Sequence, residues 1–384
     1  MTDATRNADV VIIGAGPVGM ALAGALRGNQ RVLLIDRRPR GAWASDPRIL
    51  AVAHGSRQLL ERLKAWDSGC ATPIRDIHVS QRGGFGRTRI QADDYSLPAL
   101  GYVMRYCDLA ATLDLRLDNE QLLSSSEVTD VQPDNEHVRL TLRQKGAVRH
   151  VSAKLLVHAE GSPADSPECW EHDYRQHAII AELRPAQAHG NRAWERFTPE
   201  GPLALLPFGE NYALVMTVPA QQAEALLQLD DPGFLATLRE RCGRQLDFIS
   251  TSPRRAFPLA LRLRKTLARQ RQVWIGNTAQ TLHPVTGQGF NLGLRDAWEL
   301  AEALQNNPSS DPGDTAMLAA YAHNRQPDRL LGAALTDGFV RLFSNDYLPL
   351  KIARGLGLLS IDLCPPLRHL IARQMNTGAR SAPR

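Results

Sequence analysis

Three glycines and one acid near the N-terminus have the spacing of a dinucleotide-binding turn. Gly14, Gly16 and Gly19 form a G-x-G-x-x-G pattern between an apolar run and a helix pattern of small residues, and Asp36 follows a second apolar run. Such glycines let the backbone approach a pyrophosphate at a helix N-terminus, while the acid accepts a hydrogen bond from a ribose hydroxyl. Because strand, helix and acid all accompany the glycines, we interpret residues 9–38 as a dinucleotide-binding unit rather than an unrelated glycine-rich turn.

A second glycine-rich loop late in the chain has the composition of an anion-binding helix start. It begins after an apolar strand at Gly276 and Asn277, passes His283 and Pro284, and ends in a contiguous run of further candidates, namely Gly287, Gln288, Gly289, Phe290 and Asn291. A helix is predicted to start near Asn291. Glycines before a helix let backbone N–H groups face a ligand, and the positive helix end favours negative charge there. For a flavin, that charge would be the N1/O2 edge of the reduced ring. A plain strand–loop–helix connection is the alternative.

Two arginines between these loops are further candidates for cofactor contacts. Arg48 precedes a predicted helix that includes Val52, and its guanidinium suits a fork of phosphate oxygens. Arg105 lies near the start of a second predicted helix, over residues 103–117. Residue types alone leave a surface role open for both.

Length and composition limit the class of protein. The 384 residues suffice for two domains, and a net charge of +5 without a basic run interleaved with aromatics argues against a nucleic-acid partner. The five cysteines include no C-x-x-C pair, which argues against a disulfide framework or a metal site and for a reducing compartment. The polar N-terminus does not resemble a signal peptide, and no run of 18 apolar residues predicts a membrane span.

The order of apolar runs predicts an α/β fold in which a Rossmann-like cofactor domain is interleaved with a mixed or antiparallel β-sheet substrate domain, followed by C-terminal helices. We predict one helix over residues 221–244 and breaks at the prolines of the C-terminal region, including Pro327 and Pro349. Residues 348–363 either pack on the body or contact a membrane surface. The predicted division is a cofactor domain of 1–73, 103–173 and 265–312, a substrate domain of 74–102 and 174–264, a helical region of 313–376 and a disordered tail of 377–384.

Several longer motifs resemble one family of flavoproteins. They are GAGPVG, DPRILAV, GPLALLPF, the long GNTAQTLHPVTGQGFNLGLRD and the C-terminal GLGLLSIDLCPPLR. Together they resemble the FAD-dependent aromatic hydroxylases of the p-hydroxybenzoate hydroxylase class. Within that class they are most similar to the ubiquinone-biosynthesis hydroxylases, above all the 2-polyprenyl-6-methoxyphenol hydroxylases. The resemblance covers nearly the whole chain.

The resemblance implies an enzyme that hydroxylates a prenylated phenol with NAD(P)H and O₂ through a flavin C4a-hydroperoxide. It implies FAD binding by the residues at matching positions: Gly14, Gly16, Gly19, Asp36, Arg37, Arg48, Arg105, Asn277, Pro284, Gly287, Gln288, Gly289, Phe290 and Asn291. It implies a cytoplasmic protein, with a peripheral contact to the inner membrane or to other ubiquinone-biosynthesis proteins. We assign no catalytic residue from the sequence.

Three positions depart from the class. Asn277 replaces the usual aspartate, as in the methoxyphenol hydroxylases; Glu160 replaces an aspartate tied to FAD and NAD(P)H; and Asp36 replaces the commoner glutamate. The alternatives are another flavoenzyme of this fold, either a soluble-aromatic hydroxylase or a prenyl-lipid reductase, and a non-catalytic FAD-fold subunit of a complex. A plain NAD-dependent dehydrogenase is disfavoured because the GQGFN loop would have no role in it.

Overall fold

A computed structural model describes residues 6–161, 167–243, 246–284, 287–343, 347–364, 366, 368 and 369. The strands within these residues are β1 Arg6–Ile13, β2 Val32–Ile35, β3 Ile49–Ala53, β4 Thr72–Ile74, β5 Asp76–Gln81, β6 Arg87–Gln91, β7 Gly101–Arg105, β8 Leu122–Leu123, β9 Ser126–Pro133, β10 Val138–Gln144, β11 Ala147–His158, β12 Cys169–Pro185, β13 Arg192–Thr198, β14 Gly201–Phe208, β15 Asn211–Pro219, β16 Phe248–Thr251, β17 Arg255–Arg264, β18 Ala268–Arg269, β19 Gln272–Trp274 and β20 Gln280–Thr281. The helices are α1 Pro17–Ala25, α2 His54–Arg62, α3 Tyr106–Asp114, α4 Ala220–Gln228, α5 Asp231–Cys242, α6 Gln288–Gln305, α7 Thr315–Phe343 and α8 Leu348–Leu363.

The first sheet brings the two glycine-rich loops to one edge. Its order is β18-β19-β11-β1-β2-β8, and β9 and β10 extend it beside β11. Strands β19, β11, β1 and β2 are parallel, and their last residues are in register, with Ile13 beside both Ile35 and His158 and with His158 beside Trp274. Because parallel strands end at the same edge, the loops after β1, β2 and β19 lie side by side.

The apolar runs of this sheet are buried on both faces. One face packs with α1, α3 and α6 around Val10, Ile12 and Leu34. The other face packs with β9 and β10 around Val11 and Leu33. The near-continuous apolar strands predicted from the sequence are those of a parallel sheet covered on both sides. The predicted strand–turn–helix–strand order of residues 9–38 is thereby confirmed.

The second sheet is mostly antiparallel and has the order β20-β17-β12-β15-β14-β13-β5-β6, with β16 beside β12. Helices α4 and α5 cover one of its faces, where Leu205, Leu214 and Phe234 are buried. The opposite face packs against the first domain and against α7 and α8. The α/β fold with an interleaved β-sheet unit and C-terminal helices is confirmed, whereas the residue boundaries of the two domains stay a prediction.

A third, small sheet corrects two helix predictions. Residues 49–53 form β3, so the helix expected directly after Arg48 begins at His54. Residues 101–105 form β7, so the helix expected from residue 103 begins at Tyr106. Each strand is short and pairs with the other across about fifty residues, with β4 on the far side of β7. The helical spacing within each segment was therefore overridden by a distant backbone partner.

Two further predictions about helices were wrong. The single helix over residues 221–244 is two helices, because Asp230 caps α5 by accepting a hydrogen bond from the Gly233 amide and a proline follows at its start. Helix α7 continues through Pro327 without a break. Pro349, in contrast, lies in the first turn of α8, where proline is tolerated. The predicted disordered tail lies outside the described residues. None of the described helices combines the length and the apolar character needed to cross a membrane.

Candidate functional site

The first turn is built from glycines that have no room for a side chain. A Cβ on Gly14, whose φ is +104°, would lie 2.5 Å from the carbonyl oxygen of Ala159, and a Cβ on Gly19 would lie 2.0 Å from that of Gly14. Helix α1 therefore starts in close contact with the ends of β1 and β11. No side chain caps its N-terminus at Gly16. The turn thus presents backbone N–H groups and a positive helix end to a ligand.

Asp36 stands beside this turn at the end of β2 and is 8% exposed. Its carboxylate accepts hydrogen bonds from the amides of Ala15 at 2.9 Å and Arg38 at 2.8 Å, and forms an ion pair with the Arg38 guanidinium at 3.2 Å. Burial by itself would raise the pKa of Asp36, but the hydrogen bonds from Arg38 and Ala15 outweigh it and hold the pKa below its ordinary value. Asp36 is therefore an ionised acceptor at neutral pH, as ribose recognition requires.

A pocket opens between this acid and the following loop. It is lined by Ala15, Asp36, Arg38, Pro39, Arg40, Gly41, Ala42, Trp43, Asp114, Leu122 and Ser124. The wall combines an indole, aliphatic groups and hydrogen-bonding groups. Such a lining suits the ribose and base of a nucleotide whose phosphates lie at the glycine turn.

Arg48 and two residues that the sequence did not indicate frame the same turn. The Arg48 guanidinium lies 4.3 Å above the centre of the Tyr106 ring and pairs with Asp46 at 2.6 Å. The hydroxyl of Tyr106 would lie 3.3 Å from a Cβ on Gly16. Arg38 also interacts with this hydroxyl. Tyr106 therefore connects both guanidinium groups to the glycine turn, although a single tyrosine directly after a strand carries no signal in the sequence.

Two other predicted arginines lie differently. Arg37 is exposed beside the pocket, so the arginine that contacts Asp36 is its neighbour. Arg105 lies 2.8 Å from Glu182 of the second sheet and stacks over Phe208 at 4.8 Å. The structure thus directs the Arg105 side chain to the junction with the second sheet, away from the cluster of Arg48 and Tyr106.

The late loop packs against the first turn through close contacts. Gly276 has a φ of +61°, and a Cβ there would lie 3.2 Å from Val18 of α1. A Cβ on Gly293 of α6 would lie 3.0 Å from the same valine. Asn277, between them, is exposed at the edge where the parallel strands end. The two glycine-rich segments are therefore one continuous surface.

Helix α6 begins with an open positive end. Its first residue is Gln288, three residues before the predicted start, and Gly287 precedes it with a φ of +61°. No side chain caps this end, and no acidic residue lies in the first turn. A Cβ on Gly289 would meet no atom within 4 Å. The first turn, which includes Phe290, thus combines a positive helix end with space at Gly289 for a planar anionic group.

Asn291 anchors this helix start instead of facing the open space. It is 2% exposed, its amide nitrogen donates to the carbonyl oxygens of Ala51 and Gly287, and its amide oxygen accepts from the amide of Ala53. These hydrogen bonds join α6 to β3. Because the side chain is occupied by these hydrogen bonds, the predicted contact of Asn291 with a cofactor would have to come from its backbone.

His283 and Pro284 precede this helix start. His283 is 1% exposed, and its ring meets that of Tyr174 edge-on with centroids 5.2 Å apart. Burial lowers the pKa of His283 to about 4, so its ring is neutral at physiological pH. A neutral imidazole here adds no positive charge to that of the helix end.

A buried cluster of charges holds the late loop in place. The side chain of Asp296 accepts hydrogen bonds from the Gly276 amide at 3.0 Å and from Gln280 at 2.5 Å. Arg325 of α7, which is 0% exposed, pairs with Asp296 at 2.8 Å and also with Glu299 and Asp328. The loop conformation therefore depends on an ion-pair network below it. Sequence patterns showed none of this network, because its members come from α6, α7 and β20.

Comparison with known proteins identifies the family of this chain. The family described as FAD binding domain matches residues 7–330. The chain belongs to this family. It is 34% identical over 388 residues to ubiquinone hydroxylase UbiL of Rhodospirillum rubrum, covering 96% of this chain and 90% of the relative. It is 28% identical to ubiquinone hydroxylase UbiM of Neisseria meningitidis, covering 96% and 84%, and 26% identical to 3-demethoxyubiquinol 3-hydroxylase of Escherichia coli, covering 94% and 96%.

Solved structures of similar fold include two monooxygenases. The p-nitrophenol 4-monooxygenase PnpA of Pseudomonas putida superposes with a TM-score of 0.78 at 15% identity, covering 98% of this chain and 100% of that one. PqsL of Pseudomonas aeruginosa, a probable FAD-dependent monooxygenase, superposes with a TM-score of 0.74 at 20% identity, covering 92% and 100%. At these identities the likeness shows the fold.

The residues of this FAD-binding protein fit its cofactor. FAD needs a pyrophosphate site, a ribose acceptor and donors at the pyrimidine edge of its ring. The uncapped glycine turn and the ionised Asp36 meet the first two needs. The uncapped start of α6, with open space at Gly289, meets the third. Both ends of the cofactor thus have matching chemistry along one continuous surface.

Proposed function

We propose that this chain is an FAD-dependent monooxygenase that hydroxylates the aromatic ring of a prenylated phenol in ubiquinone biosynthesis, with NAD(P)H and O₂ as co-substrates. The observation that carries the proposal is its full-length similarity to ubiquinone hydroxylases, including one at 34% identity. The site described above supports it, because β20, which follows Gly276 and Asn277 of the late loop, pairs with β17 and so joins the proposed cofactor surface to the second sheet. FAD, when bound, takes a hydride from NAD(P)H and activates O₂ for transfer to the ring.

The chain's own residues bind FAD and orient its ring. We assign the pyrophosphate to the turn from Gly14 to Gly19 with Arg48, and the adenosine ribose to Asp36. The ring edge is assigned to the positive start of α6, with the backbone N–H groups of Gly289 and Phe290 as donors, because the Gly287 N–H already donates to the carbonyl oxygen of Pro284. Asn291 and Asp296 act indirectly, since their hydrogen bonds fix α6 and the loop before it. A rigid support of this kind is what positions donors for charge that develops during reaction.

The proposed substrate also requires apolar surroundings. Helices α7 and α8 lie over one edge of the second sheet, where Phe339 of α7 stacks on Phe197 and the hydroxyl of Thr88 donates to the carbonyl oxygen of Leu358 of α8. The outer surface of α8 is apolar too. Four side chains at helical spacing are 39–72% exposed there: Ile352, Leu356, Leu359 and Leu363.

We infer that this exposed surface of α8 contacts the inner membrane, which would deliver a prenylated substrate to a cytoplasmic enzyme. Replacing Leu356 and Leu359 together by glutamate is expected to abolish co-sedimentation with vesicles of phosphatidylethanolamine and phosphatidylglycerol. The matched control is Leu115→Glu, at a leucine that is 80% exposed on another surface. Equal sedimentation of both variants would contradict the membrane contact. Binding to other ubiquinone-biosynthesis proteins would then be the remaining way for the enzyme to reach its substrate.

The main experiment is an anaerobic absorption spectrum of the purified protein before and after NAD(P)H, with and without a prenylated methoxyphenol, followed by aeration and product analysis. Flavin bleaching that the phenol accelerates, with one oxygen atom added to the ring, is the expected result. A flavin that bleaches without ring oxygenation would indicate a reductase of this fold. A flavin that stays oxidised would indicate a non-catalytic subunit.

A further inference from the structure

Glu195 lies on the face of the second sheet that looks toward the cofactor domain. It is at the centre of β13, opposite Ala204 of β14 and Val79 of β5. Side chains alternate along a strand, so Glu195 shares its face with Ala193 and Phe197. The next residue, Arg196, lies on the other face of the sheet. Its guanidinium is 3.4 Å from the position of a Cβ on Gly243, at the end of α5.

The elements that flank Glu195 are the small sheet and α7. On one side Ala193 packs with Ile74 and Val103 of the small sheet. On the other side Phe197 stacks on Phe339 of α7, with ring centres 6.4 Å apart. The small sheet also contacts the start of α6, because a Cβ on Gly287 would lie 3.2 Å from the Cβ of Ala51. Glu195 therefore lies between the small sheet and α7, and both of these elements contact α6.

The carboxyl group of Glu195 has apolar neighbours on both adjacent strands. Its Oε1 is shielded from solvent and has no hydrogen-bond partner among the described residues, and its two cross-strand neighbours are alanine and valine. Burial alone raises the pKa of Glu195 to about 8. A partly buried carboxyl without a structural partner carries a cost in folding, which points to a ligand that pairs with it.

Other charged groups on the elements packed against this face have their own partners. Arg105 pairs with Glu182 at 2.8 Å, and Arg341 pairs with Asp337 at 2.8 Å. On α8, Arg354 donates to the carbonyl oxygen of Leu342, and Asp362 accepts from the amide of Arg89. The remaining cation of α8, Lys351, lies near Gly83, beyond the end of β5. None of these groups contributes to the shift at Glu195, which has burial as its cause.

We propose that Glu195 is the general base that receives the phenol proton of the substrate, an inference that rests on the proposed function. The substrate O–H bond breaks, its proton forms a bond to a carboxylate oxygen of Glu195, and the electron pair moves through the phenol oxygen into the ring. The ortho or para carbon then attacks one oxygen atom of the O₂ that the cofactor, reduced by NAD(P)H, has activated; a C–O bond forms, the O–O bond breaks, and the second oxygen atom takes up protons and leaves as water. Loss of the proton from that carbon restores the aromatic ring.

The chemistry of the pair favours this direction. A phenol has a pKa of about 10, so an ordinary carboxylate with a pKa of about 4 is a weak base toward it. A carboxyl that titrates near neutral pH is far better matched, because general base catalysis is most effective when the pKa lies near the working pH. The apolar neighbours of Glu195 also suit an aromatic ring with a prenyl chain.

The test compares the flavin-loaded wild type with Glu195→Gln, which keeps the size and hydrogen-bonding capacity of the neutral acid. We expect ring hydroxylation to fall by about 10²- to 10³-fold. The control is Glu240→Gln, the same change on α5, at a side chain that is 75% exposed behind the sheet. In the wild type, kcat/KM is expected to rise with pH through about 8, and in Glu195→Gln this rise disappears.

A binding measurement adds a readout that does not depend on turnover. The ultraviolet difference spectrum of a prenylated phenol bound to the oxidised protein reports the hydrogen bond that its hydroxyl donates. In the wild type we expect the phenol absorption to shift to longer wavelength as pH rises through about 8, because the hydroxyl then donates to a carboxylate, and in Glu195→Gln we expect no such shift over this range. Glu195→Asp, which moves the carboxyl back by one methylene, is expected to give an intermediate result.

Flavin content and thermal unfolding show that each variant is folded. If Glu195→Gln hydroxylates the phenol within threefold of the wild-type rate at every pH, and the two difference spectra depend on pH in the same way, the role of Glu195 is overturned and the hydroxylase proposal stays intact. A wild type that binds FAD but does not oxygenate any prenylated phenol would overturn the proposed function itself.

Discussion

Replacing Arg325 by methionine is expected to destabilise the protein by about 3–5 kcal/mol and to weaken FAD binding. Arg325 is fully buried, and its guanidinium pairs with three carboxylates, two of them 2% and 5% exposed. Methionine fills much of the space but leaves Asp296 and Asp328 without their main counter-charge. The free energy of unfolding falls because a buried negative charge is left unpaired, and this penalty exceeds the net stabilisation that the intact ion pairs provide.

The effect on FAD follows from the contacts of Asp296. Its carboxylate holds the Gly276 amide, and Gly276 contacts α1 at the first glycine turn. The assay is urea unfolding of the apoprotein, together with FAD titration followed by flavin fluorescence. Arg341→Met is the matched control on the same helix, because that arginine is 64% exposed and its surface ion pair is worth less than about 1 kcal/mol.

The pH dependence separates a charge effect from a packing effect. A buried carboxylate that lacks a partner takes up a proton as pH falls, which relieves the penalty in the folded state. The deficit of Arg325→Met is therefore expected to be smaller at about pH 5 than at about pH 8. Adding Asp296→Asn should recover part of the stability. A deficit equal to that of Arg341→Met, or one that does not change with pH or with Asp296→Asn, would refute the reasoning.

Three further outcomes are expected. Gly19→Ala should abolish flavin binding, since its Cβ would lie 2.0 Å from the Gly14 carbonyl oxygen, whereas Gly24→Ala on the same helix, with 3.7 Å to the nearest atom, should retain full flavin absorbance. Asp36→Asn should raise the Kd for FAD at least about tenfold at neutral pH, because a charged hydrogen bond contributes about 1.5–3 kcal/mol; the difference in Kd between Asp36→Asn and the wild type should disappear only at a pH below the ordinary pKa of an aspartate, since the pKa of Asp36 is lowered. Wild-type stability should fall relative to Glu195→Gln as pH rises toward about 8, because the raised pKa of Glu195 makes its ionised form costly in the folded state, and parallel thermal unfolding curves across that range would contradict this.

Local patterns were sufficient to predict the parts of the site that are themselves local. The turn from Gly14 to Gly19 and the acid after β2 lie within one strand–helix–strand unit, so spacing alone identified them. The start of α6 was placed three residues late, because Gly287 gave no sign of where the helical backbone begins. Their assignment to FAD contacts stays a prediction.

What the sequence could not show depends on contacts between distant segments. Strands β3 and β7 have apolar patterns compatible with helix and become strands through pairing with each other. Tyr106 reaches Gly16, and Arg105 reaches Glu182, only because of where β7 ends. Helix α7 tolerates Pro327 in its interior next to the buried ion pairs of Arg325. A proline there would ordinarily be expected to kink or end a helix.

The parallel register of β1, β11 and β19 has a consequence for how the molecule is made. During synthesis the first glycine turn is complete after about forty residues, but its neighbour β19 emerges only with residues 272–274. The hydrogen bonds between Asn291 and β3 come later still. Such long sequence separations slow folding and leave part of the first sheet without its neighbouring strands on the growing chain. FAD can therefore stabilise only a nearly finished polypeptide, and chains that end before α6 are expected to lack flavin and to be degraded readily.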